Sequence, residues 1–187
     1  MRNPSAWQPR AATLLGGVAS VWTVSLCGLF LDEGLVHALA LVPRRVDGLP
    51  GILGAPLVHG SFAHLLANTV PLLVLGGMVA IRGVAYYLTT TLAIVVLGGL
   101  GLWALGRDAA HVGASGLIFG YFGFLVGRGY YERRLQSVAV SILVAALYGG
   151  MLAGVLPRDD GVSWEAHLFG LLAGWLCARA AGRDALR

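Results

Sequence analysis

The sequence predicts an all-α integral membrane protein: one bundle of six transmembrane helices, the fourth of them short. Three observations carry this. Of 187 residues, 57% are hydrophobic and 12% charged, about half the charge of a soluble domain, and the mean hydropathy is +0.77. The apolar residues fall in blocks close to the roughly 20 residues that cross a bilayer. All 13 basic residues are arginine, and they punctuate the blocks instead of forming one basic face, which excludes a nucleic-acid partner. The six blocks take up residues 1–187 as a single polytopic domain.

The first block, 13–30, ends at Asp32-Glu33. Arg2 and Arg10 precede it as in a signal peptide, but no small-x-small cleavage site follows, so a retained span is expected. From there to Pro56 the chain mixes prolines, glycines and charges with short apolar pieces, the pattern of an interfacial segment. The second block, 57–81, opens on His59 and His64 and contains Pro71, a kink that neighbouring helices accommodate in a membrane. The third, 84–105, is an ordinary span. The fourth, 115–127, follows Gly113-Ala114-Ser115-Gly116 and is too short to cross. A short helix entered through a loop places its start below the surface, where irregular backbone must be buried or face water. The fifth and sixth blocks are 136–156 and 162–181.

Six spans put both termini on one side. Arg2, Arg10, Arg82, Arg128, Arg133, Arg134, Arg179, Arg183 and Arg187 then face Arg44, Arg45, Arg107 and Arg158, and the excess predicts cytoplasmic termini. Arg128 to Arg134 reads as an inner loop. Trp7, Trp22, Trp103, Trp164, Trp175 and the pairs Tyr86-Tyr87 and Tyr130-Tyr131 include several near block ends, as an aromatic belt requires. Cys27 and Cys177 lie inside apolar blocks and read as small core or lipid-facing residues. An all-arginine basic set with abundant Ala, Gly, Leu and Val points to a GC-rich bacterial source, hence to a multi-pass protein of the inner membrane.

Under this topology His59, His64, Ser115 and His167 all enter from the outer face. Block six carries Ala166, Gly170, Gly174, Ala178 and Gly182 at every fourth position, and block four carries Gly116, Gly120, Gly123 and Gly127. Such ridges let helix backbones approach closely in lipid. Packed along them, Ser115 and His167 fall at the same depth, where the imidazole takes the hydroxyl's proton and makes a nucleophile. Glu165 lies two positions from His167 and points elsewhere on a helix, so the pattern is a dyad. An oxyanion formed by attack needs donors. His64 and Asn68 are four apart on one helical face and offer a ring N–H and an amide; the Ser115 backbone N–H at a helix start is a third. His59 reads as a structural hydrogen-bonder under the preceding loop. Zinc ligation by three histidines competes with this reading, although no spacing matches a zinc signature. The dyad chemistry requires no metal or cofactor.

His59-x4-His64-x3-Asn68, Gly113-Ala-Ser115-Gly116 and Ala166-His167-x2-Gly170-x3-Gly174, in that order in helices two, four and six, resemble the rhomboid family of intramembrane serine proteases. The resemblance covers the chain from about Pro56 onward. It implies a six-helix bundle with the nucleophile on a short fourth helix, and cleavage of single-span membrane proteins near the bilayer surface. By position Ser115 is the nucleophile and His167 the base; His64, Asn68 and the Ser115 N–H line the oxyanion hole, with His59, Gly113, Gly116, Gly170 and Gly174 in support. Many bacterial members carry Trp-Arg before the first histidine where this chain has Pro50-Gly51. Members often have tyrosine four residues after the nucleophile, stacked on the histidine; Phe119 keeps the ring.

Two further readings belong to other classes. A rhomboid-like protein that binds membrane segments without cutting them needs neither Ser115 nor His167. A small transporter predicts internal repeats and charges at span centres, and neither is evident. His37 and His111 lie in or beside outer loops and are expected to be solvated or interfacial.

Overall fold

A computed structural model describes residues 7–158 and 161–184, with 183 and 184 by backbone alone. Arg2 and Arg187 of the charge count, and the side chain of Arg183, lie outside the described residues. Among the described residues eight α-helices form in chain order: α1 (Trp7–Phe30), α2 (Glu33–Leu39), α3 (Gly51–Gly54), α4 (Phe62–Ala80), α5 (Val84–Leu105), α6 (Ser115–Glu132), α7 (Leu135–Tyr148) and α8 (Trp164–Asp184). Among the described residues four helical stretches are long and apolar enough to cross a membrane: Trp7–Phe30, Phe62–Ala80, Val84–Leu105 and Leu135–Val155. The other two long helices, α6 and α8, are not among them; both carry glycines along their shared face and bear ionic groups such as Arg128, Glu132 and Glu165.

Several boundaries move from expectation, each for a local reason. The first helix is already formed at Trp7, the first described residue and six positions before block one. The second block yields a helix only from Phe62, where the Ser61 hydroxyl caps the His64 N–H at 3.1 Å. Residues 55–57 form a separate 3-10 turn, which leaves His59 in the connection. The fourth helix is not the 13-residue stub expected from 115–127 but runs 18 residues to Glu132, ending at Arg133 with φ 52. Its last turn is helical because Arg128 and Glu132 form a buried pair at 2.8 Å, which Arg82 (2.6 Å) and the Ser137 hydroxyl join. Polar letters that read as a loop are thus a buried cluster. The fifth block divides into α7 and a 3-10 stretch, Gly149–Val155.

α6 is the centre of the bundle, buried along most of its length. Tyr121, Phe124, Ile118 and Leu125 on it pack with Leu65, Leu75, Ile94 and Val144 of the surrounding helices. It approaches α8 closely, backbone against backbone. A methyl on Gly170 would overlap the Gly116 carbonyl, and one on Gly174 would overlap the Gly120 carbonyl, so the two ridges meet as their spacing predicts. The segment between α1 and α4 folds into α2, α3 and short 3-10 turns and is tied down by paired backbone bonds between Leu41 and His111 (3.0 and 2.9 Å). Pro50 is exposed, while Gly51 sits buried against the Ala40 and Leu41 backbone. The close approach at Gly51 leaves no room for a side chain.

Candidate active site

The site is built around the turn that starts α6. Gly113 has φ +110, a conformation that suits glycine, and a Cβ there would stand 2.8 Å from His64 Nε2. The Gly113 N–H donates to the Ala55 carbonyl at 2.8 Å, and the Ala114 N–H to His59 Nε2 at 3.3 Å. Ala114 is the N-cap and supplies no side-chain cap. The first N–H groups of α6, beginning with that of Ser115, are therefore left to other acceptors.

His59 is fully buried and its tautomer is determined by its partners. Because Nε2 accepts from Ala114, the ring proton sits on Nδ1 and donates to the Ser25 hydroxyl at 2.9 Å, which in turn donates to the Leu57 carbonyl at 2.9 Å. The chain Ala114–His59–Ser25–Leu57 ties the serine-bearing turn to α1. The anchor of His59, Ser25, is a residue that no sequence spacing marked.

Across α8, Ser115 Oγ lies 2.9 Å from His167 Nε2, and His167 Nδ1 lies 2.9 Å from the Gly154 carbonyl. A carbonyl only accepts, so Nδ1 carries a proton and Nε2 is the nitrogen that accepts from the serine hydroxyl. Phe119 stacks on the imidazole with centroids 4.1 Å apart and planes 6° from parallel. The aromatic ring expected at this position is in place without a hydroxyl. Glu165 turns away, as helical geometry requires: its Oε1 faces the Arg107 Nε at 3.5 Å.

His64 lines the same cavity as Ser115 and His167, a space of about 780 Å³ whose walls also include Ser61, Arg107 and His111. Its ring meets that of His59 edge-on at 4.8 Å. Asn68, one turn along α4, is buried, and its amide donates to the His64 carbonyl at 3.0 Å. One amide hydrogen is used there and a second remains.

His111 departs from expectation. It is 3% exposed rather than solvated, with Nε2 donating to the Arg107 carbonyl at 3.2 Å and Nδ1 2.6 Å from the Ser163 hydroxyl. That hydroxyl also caps α8 by accepting the Ala166 N–H at 3.2 Å. Burial pushes the His111 imidazole below the ordinary histidine range. The residue reads as a loop histidine because its partners come from 52 positions away. Among the described residues no group of three or more His, Cys, Asp or Glu side chains converges as metal ligands do.

A glycine-lined helix pair presenting serine and histidine at one depth defines a class of membrane protein, and sequence comparison names it. A model of the Rhomboid domain matches residues 48–183, and the chain belongs to the rhomboid family. Among similar proteins, an uncharacterized protein of Mycobacterium tuberculosis is 38% identical over 181 residues, covering 92% of this chain and 75% of the relative. One from Mycobacterium leprae is 35% identical over 184 residues, covering 92% and 71%. A Bacillus subtilis protein named "Putative rhomboid protease YdcA" is 28% identical over 124 residues, covering 64% and 61%. With its apolar helices, the chain is a multi-pass membrane protein.

Proposed function

We propose that the protein is an intramembrane serine endopeptidase that cleaves single-span membrane proteins with the dyad Ser115 and His167. The observation that carries this reading is the 2.9 Å approach of Ser115 Oγ to His167 Nε2, with the other ring nitrogen held on a carbonyl. His167 takes the hydroxyl proton as Ser115 attacks the scissile carbonyl, then gives it to the leaving amine. The Ser115 N–H, His64 and Asn68 donate to the developing oxyanion. A water attacks the acyl-enzyme by the same steps in reverse order. The 780 Å³ cavity supplies that water and admits an extended segment. A substrate helix hides its carbonyls, so the cut falls where small, helix-weak residues such as glycine let it unwind.

The arginine distribution supports cytoplasmic termini, and the cavity then opens toward the outer face. Arg10 bonds the Ile81 carbonyl at 2.7 Å, at the bundle end opposite the cavity.

The test compares the protein with its Ser115→Ala variant in liposomes holding single-span reporters, with fluorophosphonate labelling in parallel. Cleavage and labelling both disappear in the variant and weaken in the parent from about pH 8 to about pH 5, as the base becomes protonated. Cleavage that persists without Ser115 overturns the mechanism. Folded parent protein that neither labels nor cleaves favours the binding of membrane segments without hydrolysis.

A further inference from the structure

The residue that holds the far side of His167 is a glycine in an exposed, irregular stretch of chain. Gly154 belongs to the 3-10 turn Gly149–Val155 that continues α7. In such a turn each carbonyl accepts from the N–H three residues on, as the Ala153 carbonyl does from Leu156 at 3.3 Å. The next bond in the series would run from residue 157 to Gly154. Residue 157 is proline and has no N–H. The sequence Gly154-Val-Leu-Pro157 therefore releases one carbonyl from the turn, and that carbonyl meets His167 Nδ1 at 2.9 Å.

The absence of a side chain at 154 matters equally. A Cβ there would stand 2.9 Å from the Phe119 ring tip and 3.1 Å from His167 Nδ1. Gly154 is not among the positive-φ glycines, so space, not backbone conformation, is what a larger residue would lack. Adding a methyl pushes on the stacked Phe119–His167 pair or withdraws the carbonyl from it.

We propose that Gly154 is a positioning residue: its carbonyl fixes the Nδ1–H tautomer and the ring plane of His167, leaving Nε2 directed at Ser115. This rests on the reading of Ser115 and His167 as the catalytic pair. The carbonyl takes the orienting part that a carboxylate plays in a triad. It does so with a dipole in place of a full charge, which costs less at membrane depth.

Three forms of the full chain in detergent micelles test this: the parent, Gly154→Ala, and a chain in which Val155 is replaced by its α-hydroxy analogue. The last converts the Gly154 carbonyl from amide to ester, a weaker acceptor, with no change in any side chain. With 15N-histidine incorporated, the His167 Nδ1–H resonance is assigned by its loss in His167→Gln. Both altered chains should show a displaced or faster-exchanging Nδ1–H resonance and fluorophosphonate labelling slowed on the order of 10- to 100-fold. A resonance and a labelling rate that are unchanged in the ester chain overturn the proposal, whether or not Gly154→Ala folds. If the parent itself does not label, the dyad reading fails separately, and the resonance alone decides whether the carbonyl holds the ring.

Discussion

Replacing Gly170 by alanine should separate the dyad without touching either member. The added Cβ would stand 2.8 Å from the Gly116 carbonyl carbon and 3.2 Å from its Cα, against a comfortable carbon separation of roughly 3.5 to 4 Å. Neither obstacle is the tip of a flexible side chain. Both are backbone of α6, so the helices must part by about 1 Å. Gly116 adjoins Ser115 and Gly170 lies one turn from His167, so the separation falls directly on a hydrogen bond now 2.9 Å long. A displacement of that size costs on the order of 100-fold in rate, while overpacking costs about 1 to 3 kcal/mol of stability. Fluorophosphonate labelling rate and thermal unfolding measure the two effects on one sample. Gly16→Ala is the control, since nothing lies within 4 Å of the Cβ position there. A Gly170→Ala protein that unfolds earlier yet labels at the parent rate refutes the claim that the α6–α8 approach sets the site geometry. One unchanged in both refutes the approach itself.

Three other outcomes are expected. Ser25→Ala leaves the His59 Nδ1–H buried without its acceptor, lowering stability by about 1 to 3 kcal/mol and slowing labelling through the Ala114 turn; equal labelling and melting would remove Ser25 from the support of that turn. Glu132→Gln takes the anion from between Arg82 and Arg128 and should cost toward the lower end of about 3 to 5 kcal/mol, because Arg82 is 33% exposed. The labelling rate of folded Glu132→Gln protein should stay that of the parent, since α6 separates the cluster from Ser115 by about 25 Å. Burial depresses the His111 pKa, so below about pH 6.5 the unfolded chain binds a proton that the folded chain refuses, and stability falls with acidification. Melting temperatures between about pH 7.5 and pH 5.5 should fall less steeply in His111→Gln; parallel slopes would contradict the assignment.

Much of the site is legible in the sequence because it is written in local spacing. Asn68 lies one turn beyond His64 on α4, and two small-residue ridges align Ser115 with His167. Both are consequences of helical periodicity and of the small residues that close packing in lipid requires. What escaped detection has partners far away in the chain. Ser25 is one hydroxyl in an apolar span, and it bonds His59 across 34 positions. His111 and Ser163 are 52 apart. Arg128 and Glu132 resembled an inner loop because charge near a span end is ordinarily solvated, and their burial depends on Arg82 and Ser137 arriving from other elements.

By itself the sequence determined the all-helical membrane class, the apolar helices, the ridge along which α6 and α8 meet, and the family. Those follow from composition and period, which act within one helix or between two that share a complementary face. Only the tertiary structure decided which hydrogen-bonding groups complete the two histidines. His59 takes a hydroxyl from α1, and His167 takes the carbonyl that Pro157 leaves unclaimed at Gly154. A histidine's tautomer is set by the group facing its second nitrogen, and the chain brings that group into place only when the bundle closes.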